Sequence, residues 1–371
     1  MHRDALGPDG QPHRLTGTPR PPGLRLAVAA VLAPLVLAAC GSSATAGDAP
    51  TLRLGYLANL THAPAVVGLR RGFLATSLGS THVRPQVFNA GPQETEALLG
   101  GSLDAAFLGP TPAVNAFVRS QGDALRIVSG VTSGGAGLVV RAGSGISTAA
   151  DLRGRRLATP QLGNTQDVAL RAWLLDHGLH TDTSGGGDVL IGPAENATIV
   201  TLFRAGRIDG AWVPEPYLSR LIVEGQGTLL VDEASLWPQG AFPTAVLAVS
   251  RRFEQAHPEI VRTLVAGLRT TIDWISANDT EARTVTGAGL ADLSGKALPE
   301  AVLRQGWSRL RFTNDPLLAE LKTGSDNAFR VGVTKSVADL HGIWDGRFLN
   351  GLLQVAGRPP VPDSALGASG P

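Results

Sequence analysis

Short apolar or alternating runs recur along this chain from Thr51 onward, and most are followed by a segment with helical spacing. Period-two or continuous apolar patterns predict strands at residues 51–57, 83–89, 104–108, 125–131, 138–141, 156–159 and 245–249. Spacings of three and four predict helices at residues 63–74, 92–99, 259–276, 299–309, 315–322 and 337–349. Strands that alternate with helices of about ten to fifteen residues are typical of βαβ units. The pattern therefore predicts an α/β protein with a mostly parallel sheet.

The stretch from Arg155 to Leu175 is the clearest of these units. A short strand is broken by Pro160, a polar turn follows, and helical spacing then begins. Asn164 or Thr165 can cap that helix. In an open α/β sheet, ligands bind beyond the strand ends, and a helix N-terminus suits a polar or anionic group. An ordinary β-turn-α unit with a good cap is the simpler interpretation of this stretch alone.

An internal similarity suggests two lobes of related plan. Residues 101–110 (GSLDAAFLGP) match residues 206–215 (GRIDGAWVPE): a glycine ends a helix, an aspartate opens an apolar strand, and a loop with proline follows. A glycine-rich passage at 133–147 and a Trp/Pro-rich passage at 237–243 flank the second copy. We interpret these passages as two chain crossings between the lobes.

Composition narrows the possible functions. The 371 residues are 43% hydrophobic and 17% charged, which is enough for two cores, and the net charge is +1. No strong positive field is present to recruit nucleic acid. The single cysteine, Cys40, excludes a disulfide framework within the chain.

The N-terminal segment predicts export. Residues 23–39 carry Arg25 and an apolar run that is too short for a membrane span. The run ends in Leu37-Ala38-Ala39-Cys40, which resembles the lipobox of bacterial lipoproteins. We expect residues 1–39 to be a cleaved signal peptide, Cys40 to carry lipid, and residues 40–50 to form a linker. The mature protein would then be anchored to the cell membrane on its extracytoplasmic face.

The sequence offers little catalytic chemistry. It contains no H-E-x-x-H, G-x-S-x-G, Walker A or C-x-x-C motif, and nothing in it predicts a cofactor or a metal site. Nothing assembles a nucleophile, a base and an orienting group. The chain therefore has the features of a binding protein.

Several motifs, in this order, resemble a known family. The lipobox, LGY at 54–56, GPQETEALLGGSLDAAFLGPTPA at 91–113, DLRGRRLATP at 151–160, GNTQD at 163–167 and WVPEPY at 212–217 resemble ABC-transporter substrate-binding lipoproteins of the nitrate/sulfonate/taurine type. The resemblance implies a two-lobed periplasmic-binding-protein-like fold (type II) with two interlobe crossings. It would place residues 51–139 and 244–357 in lobe 1, residues 140–243 in lobe 2, and residues 358–371 in a flexible tail.

The resemblance also implies that a small solute binds between the lobes and passes to an ABC permease with its ATPase subunit. Several of the residues it would place at the site have a plainer alternative: His62 as a turn residue, Trp212 in a core, Glu215 as a helix cap and Gln166 facing solvent. The implied ligand-binding residues are Tyr56, Asn59, His62, Gly109, Pro110, Thr111, Ser133, Asn164, Thr165, Gln166, Trp212, Glu215 and Tyr217.

The candidate loops do not identify the solute. They contain Asp167 and Glu215 but no lysine or arginine, so an anion would depend on backbone amides, hydroxyls and amide side chains. The resemblance favours an aliphatic sulfonate or taurine. A thiamine-pyrimidine-like heterocycle or another anion is the alternative. An enzyme of the same fold would have only His62 as a reactive group, and a sensor would need an appended signalling module.

Overall fold

Eleven strands form two sheets in the computed structural model, which describes residues 49–366. The predicted signal peptide, the lipidated Cys40 and most of the linker lie outside the described residues. Within residues 49–366, none of the helices combines the length and apolar character that a bilayer span requires.

The first sheet has six strands in the order β11-β4-β10-β3-β1-β2. β1 runs parallel to β2 and β3, whereas β10 runs antiparallel to β3 and β4. Its strands are β1 (Thr51–Leu57), β2 (His82–Phe88), β3 (Ala105–Leu108), β4 (Leu125–Gly134), β10 (Pro243–Ser250) and β11 (Leu310–Phe312).

The second sheet has five strands in the order β7-β6-β8-β5-β9. β6 runs parallel to β7 and β8, and β5 runs antiparallel to β8 and β9. Its strands are β5 (Ala136–Arg141), β6 (Arg156–Pro160), β7 (Leu190–Ala194), β8 (Gly210–Pro214) and β9 (Gly227–Asp232).

The internal similarity in the sequence corresponds to equivalent positions in the two sheets. Asp104, just before β3, accepts a hydrogen bond from the backbone N–H of Arg53 in β1 at 2.8 Å. Asp209, just before β8, accepts one from the backbone N–H of Arg156 in β6 at 2.8 Å. Each aspartate thus holds the start of one strand against its parallel neighbour, and the same hydrogen bond occurs in both lobes.

The chain passes between the sheets at Gly134–Gly135 and again between β9 and β10. The predicted first boundary, at 139/140, is wrong because it falls inside β5, whose residues from Ala136 onward already pair with β8. Gly135 has a φ of +74°, and a Cβ there would lie 2.2 Å from Leu310 Cδ2. The crossing is therefore located where only glycine fits.

Helices cover both sheets. Positions three and four apart on α9, including Val261, Leu264, Val265 and Leu268, are buried against the first sheet's core. The helices are α1 (Ala63–Arg70), α2 (Phe73–Leu78), α3 (Gly91–Leu99), α4 (Pro110–Arg119), α5 (Thr165–Asp176), α6 (Asn196–Arg204), α7 (Tyr217–Val223), α8 (Arg251–Ala256), α9 (Pro258–Ala277), α10 (Asp279–Ser294), α11 (Glu300–Trp307), α12 (Leu318–Arg330) and α13 (Arg347–Val355).

The C-terminal region differs from the sequence prediction in several places: α10 (Asp279–Ser294) was not predicted, and α12 extends to Arg330 where the pattern predicted an end at residue 322. The helix predicted at 337–349 is wrong: residues 337–346 are irregular, and α13 begins only at Arg347, after Gly346. Trp344 in that segment bridges to Ile127 of β4, so tertiary pairing overrides the local helical pattern.

The predicted flexible tail is also wrong for residues 358–366. The side chain of Asn350 accepts from Val361 N at 2.8 Å and donates to Val361 O at 3.1 Å. Leu366 is buried in the first lobe's core. Two hydrogen bonds to Asn350 of α13 and the burial of Leu366 beside α12 hold this segment in place.

Candidate functional site

The ends of several strands from both sheets meet at a small polar cavity, which we call the inner chamber. Its volume in this arrangement of the lobes is only about 20 Å³. The first lobe contributes residues that follow β1, β2 and β3, and the second contributes residues at the ends of β6, β7 and β8. The lining residues are Leu57, Asn59, Thr61, His62, Asn89, Ala90, Gly109, Asn164, Gln166, Asn196, Pro214 and Thr244.

Five helix N-termini converge on this chamber. His62, Ala90, Gly109 and Asn164 are the N-cap residues of α1, α3, α4 and α5, and Asn196 is the first residue of α6. The N-terminus of each helix carries the positive end of the helix dipole. Prolines at positions 64, 92, 110 and 112 remove N–H groups from the first turns of α1, α3 and α4, so α5 and α6 are the helices whose first turns contain no proline. None of the lining residues is an Asp, Glu, Lys or Arg. The chamber thus has an anion-attracting field without a charged side chain.

Asp167 stabilises the turn before α5 and the first turn of that helix. Its carboxylate accepts from Thr159 Oγ1 at 2.8 Å, from Gly163 N at 3.0 Å and from Arg171 Nε at 3.1 Å. The side chains of Asp167 and Arg171 are both fully buried. The carboxylate therefore locks the end of β6 to the turn and is neutralised by an arginine. It does not face a bound solute.

His62 is a neutral donor at the chamber wall. Its ring is 1% exposed, and burial lowers its pKa to about 3. Nδ1 lies 3.2 Å from Leu57 N, which donates to it, so we assign the remaining ring proton to Nε2. His62 thus shapes the first turn and lines the inner chamber.

Amide side chains supply most of the polar surface. Asn196 is 7% exposed, and its Oδ1 has no partner among the described residues. A buried amide without a partner is costly, and a bound solute would satisfy it. Because a terminal amide can turn to present oxygen or N–H, such groups can hold an anion or a zwitterion.

Asn59, His62, Gly109, Asn164 and Gln166, all predicted from the sequence, line the inner chamber. Pro110, Thr111 and Thr165 instead line a narrow cavity beside it, closed by α12.

Trp212, Tyr56 and Ser133 lie elsewhere. All of β8 is buried because helices cover both faces of its sheet, and Trp212 packs on Trp173 in the lobe core with Nε1 2.8 Å from Glu233 Oε2. Tyr56 packs in the first lobe's core. Ser133 Oγ accepts from Phe242 N at 3.1 Å, between the two crossings. These three assignments to the site are corrected.

Glu215 joins the lobes and does not line the chamber. Its carboxylate accepts from Ser219 Oγ at 2.8 Å and from Arg309 Nη1, which precedes β11, at 3.2 Å. Burial raises the pKa of Glu215 to about 7, opposed by these partners. The two acidic residues of the candidate loops, Asp167 and Glu215, are thus both paired with arginines.

Tyr217 lines a wider, solvent-open cavity that we call the outer basin. It is formed by residues of α6 and α7 on one side and by the end of α10 and the segment after it on the other, including Arg204, Arg220, Glu224, Leu290 and Lys296. Ala58, Ala197 and Pro216 line the basin, and Leu57, Asn59, Asn196 and Pro214, their close neighbours in sequence, line the inner chamber. The two cavities are therefore adjacent parts of one interlobe cleft.

Among the polar residues that line the inner chamber, sequence reasoning missed Thr61, Asn89, Asn196 and Thr244. Asn196 follows β7 as Asn164 follows β6, so a search for an asparagine after each strand of the second lobe would have found it. Asn89 follows β2 in the same way. Thr244 lies near the start of β10, and no local signal distinguishes it.

Two sheets that open their strand ends onto one shared chamber define the periplasmic-binding-protein class of fold. Solved structures share it: the alkanesulfonate-binding protein SsuA of Xanthomonas axonopodis pv. citri, bound to MOPS, has a TM-score of 0.65 and 23% identity over 79% of this chain and 97% of that one. The periplasmic nitrate-binding protein NrtA of Synechocystis has a TM-score of 0.70 and 16% identity over 87% and 92%.

The chain belongs to the NMT1-like family, whose family model matches residues 45–289. It is 28% identical to a Brucella abortus protein named as a binding protein, over 67% of this chain and 73% of that protein. It is 29% identical to the taurine-binding periplasmic protein of Escherichia coli, over 54% of this chain and 59% of that protein. The predicted family resemblance and the α/β two-lobed fold are confirmed. The expectation of a mostly parallel sheet is wrong, because five of the nine strand pairings within residues 49–366 are antiparallel.

Proposed function

We propose that this chain is the extracytoplasmic solute-binding component of an ABC importer, and that it holds the anionic head of a small organosulfonate in the inner chamber. The observation that carries the proposal is the convergence of five helix N-termini on a chamber lined by neutral amides and hydroxyls. The names of the relatives, which include a taurine binder and an alkanesulfonate binder, support it.

A sulfonate suits this chamber for two reasons. It stays ionised at all physiological pH values, and its three oxygens accept hydrogen bonds in several directions. Neutral donors and helix dipoles stabilise such an anion without the desolvation cost of burying a lysine or arginine.

Binding, not catalysis, is supported by the names of the relatives reported above. A heterocyclic solute is less well supported. Such a ligand usually stacks on aromatic side chains, and the lining contains neither Trp212 nor Tyr217.

The solute would link the two lobes. Asn59 and His62 come from the first lobe, and Asn164, Gln166 and Asn196 come from the second. A solute that touches both walls favours the closed arrangement, and release to a permease then requires the lobes to separate. An ABC permease and its ATPase subunit are the partners we propose, and lipid on Cys40 would keep the protein near them.

A thermal-shift panel tests the proposal. A ligand that binds only the folded form at about 100 times its Kd adds about 2.7 kcal/mol of stability. We expect a shift with propanesulfonate or taurine and a smaller one after Gln166→Ala or Asn196→Ala. Gln354→Ala, on the exposed face of α13, is the matched control and should behave like wild type.

Two results would contradict the proposal. The first is no shift with any sulfonate while a thiamine-type pyrimidine gives one. The second is a sulfonate shift that survives both alanine substitutions, which would place the anion outside the inner chamber.

A further inference from the structure

The outer basin has a strong local positive charge in a protein whose overall charge is nearly balanced. Arg204, Arg220 and Lys296 line it against one carboxylate, Glu224. Arg220 donates to Glu224 through Nε at 2.8 Å and through Nη2 at 3.2 Å. Within residues 49–366, neither Arg204 nor Lys296 forms a direct ion pair, so both cations can contact an anion in the basin.

These charges act on a common volume. The pKa of Glu224 is lowered first by its hydrogen bonds to Arg220 and then by the charges of Arg220, Arg204 and Lys296. Arg204 and Arg220 come from the second lobe, whereas Lys296 follows α10 in the first. An anion in the basin would therefore be held from both sides of the cleft.

The basin is within reach of a solute whose head occupies the inner chamber. Asn196 begins α6 and lines the chamber, and Arg204 ends the same helix and lines the basin. The 204 − 196 = 8 residues between them correspond to a rise of about 12 Å, and a flexible arginine side chain can shorten that gap. A spacer of a few carbon atoms can thus connect the two cavities.

We infer that the solute is bifunctional, with a sulfonate head in the inner chamber and a second anionic group, such as a carboxylate, between Arg204 and Lys296 in the outer basin. This inference rests on the proposed function and names its substrate class. The inner chamber binds the head without cationic side chains, and the basin selects the far end by charge. The positive charges of Arg204 and Lys296 would repel a taurine-like ammonium group at that end.

Calorimetry with length-matched solutes tests this inference. Sulfopropionate, propanesulfonate and homotaurine share the head and differ at the far end in charge. We expect sulfopropionate to bind about tenfold more tightly than propanesulfonate, since two partly exposed ion pairs together contribute about 1.4 kcal/mol. Homotaurine should bind least tightly.

The double variant Arg204→Gln/Lys296→Gln should abolish the preference for sulfopropionate and leave propanesulfonate within about twofold of wild type. Arg207→Gln, an exposed arginine just beyond α6 that does not line the basin, is the matched control and should keep the preference.

Three outcomes would overturn the inference. Equal affinity for sulfopropionate and propanesulfonate would show that the basin holds no second anionic subsite. A double variant that weakens the binding of sulfopropionate and propanesulfonate by the same factor shows a general electrostatic effect and no second subsite. Tighter binding of homotaurine than of sulfopropionate would show that the basin prefers a cation to an anion. If none of the sulfonates binds at all, the proposed function fails instead, which is a distinguishable result.

Discussion

Arg309 donates a hydrogen bond to Glu215 at 3.2 Å and so connects the segment before β11 in the first lobe to the segment after β8 in the second. The carboxylate of Glu215 is fully buried, and Arg309 is its cationic partner. Gly306 lies against the same carboxylate, since a Cβ there would be 2.8 Å from Glu215 Oε2. The pair thus sits in a tightly packed contact between the lobes.

Arg309→Gln should lower the free energy of unfolding by roughly 1–3 kcal/mol, because it leaves a buried carboxyl group without its cationic partner. Denaturant titration near neutral pH measures the change. Arg311→Gln, on the exposed side of β11, is the control and should have little effect. Equal stabilities of the two variants would show that the pair contributes nothing.

Buried glutamates should make the protein less stable as pH rises. Burial raises the pKa of Glu94 well above its usual value and raises the pKa of Glu215 and Glu233 to about 7. Between the usual glutamate pKa and about 7, the folded protein then binds more protons than the unfolded chain. The free energy of unfolding therefore falls as pH rises through this range.

Glu94→Gln should make the free energy of unfolding fall less steeply as pH rises. Both oxygens of Glu94 lack a partner among the described residues, and an amide of the same shape never ionises. Near pH 5 the variant should match wild type, and near pH 8 it should be more stable by roughly 1–3 kcal/mol. Glu96→Gln, an exposed neighbour on α3, is the control. A variant with the unchanged pH slope would contradict this account.

Trp212→Phe should lower stability and leave solute affinity unchanged. It removes the indole N–H that donates to the buried Glu233, at a cost of roughly 1–3 kcal/mol. Trp274→Phe changes a half-buried tryptophan on α9 and should cost less. Denaturation and calorimetry of both variants check this, and a large loss of affinity in Trp212→Phe at unchanged stability would restore the tryptophan to the site.

Cys40→Ser should release the protein from the membrane fraction or leave an uncleaved precursor, because the thiol is the predicted site of lipid attachment. Fractionation and electrophoretic mobility of the variant and wild type measure this. Identical behaviour of the two would contradict the lipoprotein prediction.

Local signals predicted the parts of the site that depend on local structure. The cap at Asn164 was readable because an asparagine before a helical pattern satisfies first-turn N–H groups within the same segment. The similarity between residues 101–110 and 206–215 likewise indicated two related lobes, and Asp104 and Asp209 fix equivalent strands.

Other features depended on tertiary packing and could not be read locally. β8 is buried on both faces, so no alternation indicates which way Trp212 points. The arginine partner of Glu215 lies 94 residues further along the chain. The glycine-rich passage 133–147 does contain the first crossing, but glycine density does not show at which residue strand pairing changes, so the boundary was placed at 139/140 instead of at Gly134–Gly135.

A crystal structure of the complex with propanesulfonate tests the central claim most directly. We predict the sulfonate group in the inner chamber, with its oxygens within hydrogen-bond distance of the first-turn N–H groups of α5 and of the amide of Gln166 or Asn196. A sulfonate group bound instead against Arg204 and Lys296, with the inner chamber holding only water, would contradict the account.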